Sequence, residues 1–121
     1  MNSKLNNLLV IEDNPYIGEE IVNAAKKVSG IKTIRLTKTL QEAISSLEEN
    51  EYELVTLDLN LPDGNGIELL KWFTENKIKK KVFVFSTSTN LKEICLKYGA
   101  FAFFDKSKGF KDLIDNIKKA Y

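Results

Sequence analysis

Short apolar runs and amphipathic stretches alternate five times along this chain, and that alternation leaves few folds open. Runs of about four apolar residues suit strands buried on both faces, while helical spacing of apolar residues between them suits helices packed on those faces. The pattern predicts a doubly wound α/β domain with five parallel strands in three layers, α/β/α. Strands are expected at Leu8 to Ile11, Thr33 to Leu36, Leu54 to Leu57, Val82 to Phe85 and Ala102 to Phe104. Asn14 is placed to cap the first helix, with Pro15 at its first position and Gly30 just past its end. Leu40, Ala43, Ile44 and Leu47 stripe the second helix, and Ile67, Leu70 and Phe73 the third. Asn90 is expected to cap the fourth, which Gly99 ends, and Phe110, Leu113, Ile114 and Ile117 stripe the fifth. With 121 residues and no linker, repeat or low-complexity segment, residues 1–121 read as a single domain.

Charge and composition remove several function classes. With 18 basic and 17 acidic residues the net charge is +1, so no global electrostatic case exists for binding nucleic acid or a membrane surface. No apolar run approaches a membrane span, and the start MNSKLNN lacks the apolar stretch of a signal peptide, so a cytoplasmic location is expected. The chain has no His, which excludes a serine–histidine triad, His-bound zinc and histidine phosphotransfer within it. The single Cys95 is expected on the apolar side of the fourth helix with Leu91, Ile94 and Tyr98. The dense charge run from Lys77 to Lys81 is read as a solvated turn before the fourth strand.

The chemistry lies at the strand ends. Glu12 and Asp13 close the first run, Asp58 the third, Ser86 the fourth and Lys106 follows the fifth. In open α/β sheets, ligands bind outside the carboxyl ends of the strands where strand order reverses. An order of 2-1-3-4-5 would gather these residues there. Three close carboxylates either raise a pKa or recruit a cation, and an all-oxygen donor set suits a hard ion such as Mg²⁺, whose shell phosphate oxygens complete. A carboxylate can itself be the nucleophile, and Asp58, alone at its strand end, is the candidate. Lys106 would neutralise one oxygen of a transferred phosphoryl group and Ser86 would hydrogen-bond another.

The segments EDN, DLNLPDGNGIELL, FST and GAFAFFDK, in that order, resemble the landmarks of the receiver domain of two-component response regulators, a flavodoxin-like family, over essentially the whole chain. The resemblance implies Asp58 as phosphoacceptor and Asp13 as a direct Mg²⁺ ligand. Glu12 would act largely through water and Asn60 through its backbone carbonyl. Ser86 would be the hydroxyl that follows the phosphoryl group, Lys106 the family's lysine, Phe103 the aromatic switch and Gly66 the glycine after the acceptor loop. It also implies a phosphoryl donor, either a histidine kinase or a histidine phosphotransfer protein, and an output that is conformational, apart from self-phosphorylation and self-dephosphorylation. That output would reach a protein target or a second copy through the fourth helix, fifth strand and fifth helix. Where the family usually has proline after the lysine this chain has Ser107, and a cis Lys106–Ser107 bond is expected by analogy. Two alternatives stand beside this reading: a receiver piece of a longer DNA-binding transcriptional regulator, and an aspartyl-nucleophile phosphatase. The phosphatase would need an acid–base group near the acceptor, where Leu59, Asn60 and Leu61 follow Asp58.

Overall fold

β1 (Asn7–Ile11) is buried at its last four positions, as a strand covered by helices on both faces must be. The computed structural model describes residues 6–121. β1 pairs in parallel with β2 (Thr33–Thr37) on one side and β3 (Leu54–Leu57) on the other. β6 (Lys81–Ser86) and β7 (Ala102–Asp105) extend the sheet beyond β3, giving the order β2-β1-β3-β6-β7. Counting only these five strands, that is the expected 2-1-3-4-5, flavodoxin-like topology. A two-stranded hairpin, β4 (Asn60–Leu61) with β5 (Gly64–Asn65), follows β3 and was not expected from the sequence.

Alternation along the strands divides the core in two. Leu9, Ile11, Val55, Leu57, Val82 and Val84 face one side, against α2 (Leu40–Glu49), α3 (Ile67–Glu75) and Cys95 of α4 (Lys92–Lys97). Leu8, Val10, Leu54, Phe83 and Phe85 face the other, against Ile21 and Ala25 of α1 (Pro15–Lys26) and Leu113, Ile114 and Ile117 of α5 (Phe110–Ala120). Each fully buried leucine or isoleucine here contributes about 1.5–3 kcal/mol. No helix among the described residues is long and apolar enough to cross a membrane.

Helix starts follow their caps. Asn14 Oδ1 accepts from the backbone N–H groups of Tyr16 at 3.0 Å and Ile17 at 3.1 Å, and Pro15 occupies the first helical position. Thr39 Oγ1 does the same for Glu42 N at 3.0 Å. Four local expectations change. Gly30 does not end α1, which stops at Lys26 under a Lys27 cap; a Cβ at Gly30 would meet Tyr121 Cβ at 3.0 Å, so the glycine admits the last residue instead. Asn90 does not cap α4: Ser88 N–H bonds to Ser86 Oγ, and the chain winds a 3₁₀ turn over Thr89–Leu91 before the helix begins. Cys95 is fully buried as expected, but Ile94 is exposed, since α4 is only six residues long and covers the sheet with one narrow face. The lysine run is only partly solvated, because Lys80 Nζ bonds to Tyr52 O at 3.0 Å and Lys81 Nζ lies 4.6 Å from the Phe101 ring centroid.

Candidate functional site

The register of four strands builds the site. Ile11 pairs with Thr37 and with Leu57, and Leu57 with Val84, so the residues after β1 and β3 emerge together at one sheet edge. Glu12 N–H continues the ladder to Thr37 O at 2.9 Å and Asp58 N–H to Ile11 O at 3.0 Å, which fixes both backbones. Glu12, Asp13 and Asp58 each offer a carboxylate oxygen within 4.8 Å of the others. Lys106 arrives from beyond β7, where its N–H bonds to Ser86 O at 3.0 Å. Its Nζ stands 2.9 Å from Glu12 Oε1 and 3.3 Å from Asp58 Oδ1. Four of the residues read from the sequence, Glu12, Asp13, Asp58 and Lys106, are therefore brought together at one edge.

Electrostatics at this edge are unbalanced. Glu12 and Asp58 are buried, and loss of water pushes Glu12 up to about 7 and raises Asp58 as well. The hydrogen bond and charge of Lys106 oppose the shift at Glu12, as do the Lys106 charge and the Asn60 N–H, 3.2 Å from Asp58 Oδ1, at Asp58. One ammonium does not neutralise three carboxylates. The donor set is all oxygen, without thiolate or imidazole, and fits a hard divalent cation such as Mg²⁺. Asn60 lies at the start of the hairpin, two residues beyond Asp58, exposed beside the acids.

The remaining expected residues are placed as follows. Ser86 is fully buried, and its Oγ accepts from Ser88 N–H at 3.0 Å. Phe103 is half-buried against the core face shared by α2, α3 and α4, while Phe104 packs edge-on to Phe83 on the opposite face. Of Phe101, Phe103 and Phe104, the exposed one is Phe101, just before β7, at 61%. Gly66 is required by close approach: a Cβ there would come within 2.6 Å of Asp58 O, so any side chain would displace the chain at the end of β3.

The expected cis Lys106–Ser107 bond is not found, as no described peptide bond is cis. Ser107 instead closes a turn, its N–H and Oγ donating to Asp105 Oδ1 at 2.9 and 2.7 Å, and Lys106 already reaches both acids from this trans chain. Ser107→Pro should therefore lower the melting temperature by removing a used N–H donor; an increase in a thermal melt would show the turn to be dispensable.

Sequence reasoning missed Asp63. Its carboxylate accepts from Leu40 N at 2.8 Å and Gln41 N at 3.0 Å, tying the hairpin to the start of α2, and those bonds hold Asp63 below the usual carboxylate range. The Pro, Asp, Gly and Asn of this segment are turn residues, but only the tertiary fold shows which helix the turn meets.

A doubly wound parallel sheet with three acids, a hydroxyl and a lysine converging at its switch point defines a domain suited to holding a hard cation beside an anionic ligand. The chain belongs to the response regulator receiver domain family, whose profile it matches over residues 8–118. It is 30% identical over 107 residues to the transcriptional regulatory protein MalR of Bacillus subtilis, covering 87% of this chain and 46% of MalR. It is 26% identical over 115 residues to the nitrate/nitrite response regulator NarL of Escherichia coli, covering 93% and 53%. The chain thus spans about half the length of these relatives. Among solved structures, the Francisella response regulator 1452 receiver domain superposes with a TM-score of 0.85 at 27% identity over 96% of each chain. The beryllofluoride-activated NtrC4 receiver domain dimer does so at 0.83 and 25%, again over 96% of each.

Proposed function

We propose that this domain is a phosphorylation-driven switch in which Asp58 accepts a phosphoryl group from a histidine kinase or a histidine phosphotransfer protein. The observation that carries the reading is the Asp58 carboxylate, 3.3 Å from the Lys106 ammonium and grouped with Glu12 and Asp13. Mg²⁺ would be held by Asp13 and Asp58 directly, by the backbone carbonyl of Asn60, and by Glu12 largely through water. When bound it supplies positive charge to the phosphoryl oxygens. An Asp58 carboxylate oxygen attacks phosphorus; the new O–P bond forms as the donor's N–P bond breaks, and the donor imidazole keeps the electron pair. Lys106 neutralises charge on the transferred group and the Ser86 hydroxyl moves to hydrogen-bond it. The domain works in the cytoplasm, and its own catalysis is confined to gaining and losing this group.

Magnitudes limit the switch. Moving a population from 1:99 to 99:1 takes about 5.5 kcal/mol of differential binding. A hydrogen bond to a charged group contributes about 1.5–3 kcal/mol. Lys106 exchanges existing bonds to Glu12 and Asp58 for its new one, so Ser86 provides most of the net gain. The expected result is a partial shift from a state already near balance.

Phe103 packs against the core face nearest α4, and its inward turn would follow Ser86. The output then reaches a protein target or a second copy through α4, β7 and α5, rimmed by Lys97, Lys108 and Lys111. Phe103→Ala should leave Asp58 phosphorylation nearly unchanged while weakening the coupling to this surface. Amide exchange measures it: no phosphorylation-dependent protection change between Leu91 and Lys118 in the unsubstituted protein would remove this surface as the output.

A second reading, that the receiver is one part of a longer DNA-binding regulator, is supported by its coverage of only about half of MalR and NarL. The mass of the native gene product decides between them.

A further inference from the structure

At the end of the sheet opposite the acid cluster, a groove of about 470 Å³ opens between the end of α3, the start of β6 and the end of α4. Its floor is apolar, formed by Leu70, Phe73, Ile78, Val82 and Tyr98, and Lys77, Lys79 and Lys80 stand along one rim. We propose that this groove docks an acidic peptide segment of a partner protein, with one aromatic or long aliphatic side chain seated on the floor and flanking carboxylates on the lysines.

Three observations carry the proposal. The groove falls in the size range of ligand sites, with an apolar floor and a few convergent polar groups. Its charge has one sign: Lys80 is fixed by Glu51 at 3.2 Å and Tyr52 O at 3.0 Å, whereas Lys77 and Lys79 form no ion pair among the described residues. The third observation is independent of both. α3 ends with Lys77 N–H bonded to Thr74 O at 3.2 Å and Ile78 N–H to Phe73 O at 2.8 Å, and Lys77 adopts the left-handed conformation, φ +54°, that glycine normally fills at such an end. A lysine held there at a conformational cost places a cation on the groove rim that glycine would not supply. Nucleic acid fits less well, since it would leave the apolar floor of Leu70, Phe73, Ile78 and Val82 unfilled.

The proposal does not depend on the phosphoacceptor reading, because β6 separates the groove at Val82 from the site at Ser86. The probe is a fluorescein-labelled peptide with one Phe flanked by pairs of Glu, followed by anisotropy at physiological salt. Saturable binding is expected, weakened about tenfold or more when the Phe becomes Ser. Lys77→Gly and Lys79→Gln should each weaken it about 2- to 5-fold. Lys77→Gly should also raise the melting temperature by relieving the left-handed residue, which separates lost binding from lost folding. Thr74→Trp, at an exposed position lining the groove, should block the peptide, and Asp58→Asn should leave its affinity unchanged. Absence of saturable binding, unchanged affinity in Lys77→Gly and Lys79→Gln, or binding that survives Thr74→Trp would overturn the proposal. Displacement of the peptide from the groove by a DNA duplex or by phosphatidylglycerol vesicles at equal charge concentration would overturn it in favour of those ligands.

Discussion

Lys106→Ala should destabilise the metal-free protein by about 2–4 kcal/mol at pH 8, because it strips the cation from two buried carboxylates. The loss should shrink at acid pH. Glu12 is raised from 4.5 to about 7 by burial, and Asp58 is raised for the same reason. A carboxyl group whose folded pKa exceeds its unfolded value binds more protons when folded, so stability falls as pH rises. For Glu12 that fall begins near 4.5 and is complete near 7. The charge of Lys106 restrains the shift at both acids, and removing it lifts both further and steepens the fall. Urea melts in EDTA at pH 4.5 and pH 8 measure the effect, and a loss independent of pH would show that Lys106 acts through packing, for example against the Phe85 ring 5.8 Å away.

Asp13→Asn should weaken Mg²⁺ binding by about 100-fold, and Glu12→Gln by about tenfold. Both Glu12 oxygens are already engaged: Oε1 lies 2.9 Å from Lys106 Nζ, while Oε2 accepts from Lys106 at 3.1 Å and from Asn14 N–H at 3.2 Å. On the proposed reading those partners would leave Glu12 to act on a cation through water, while half-buried Asp13 would ligate it directly. Calorimetric Mg²⁺ titration of the two variants compares them, and equal losses would contradict the ordering.

Most of this arrangement is legible in the sequence because strands buried on both faces are written as apolar runs, and each run stops where the strand leaves the sheet at its polar edge. LLVIED and LVTLD mark both the strands and the acids at their ends, and the observed bounds of β1 and β3 differ from expectation by one residue at most. What was not legible depends on contacts distant in sequence. Asp63 looks like any turn residue until α2 is placed beside it, and Gly30 looks like a helix terminator until Tyr121 packs on it from ninety-one positions away. Ser107 was assigned an unusual peptide bond by analogy, whereas its own hydrogen bonds to Asp105 make an ordinary trans turn sufficient. Phe101, Phe103 and Phe104 had to divide between faces by alternation, but which one meets solvent was settled by where β7 begins.

The identity of the acceptor is tested most directly by intact-mass and peptide-mapping measurements on protein treated with acetyl phosphate and Mg²⁺. One phosphoryl group per chain is expected, on the peptide that contains Asp58, abolished by EDTA and absent from Asp58→Asn. A label that persists in Asp58→Asn, or that maps to another residue of the unsubstituted chain, would contradict the assignment of Asp58 as phosphoacceptor.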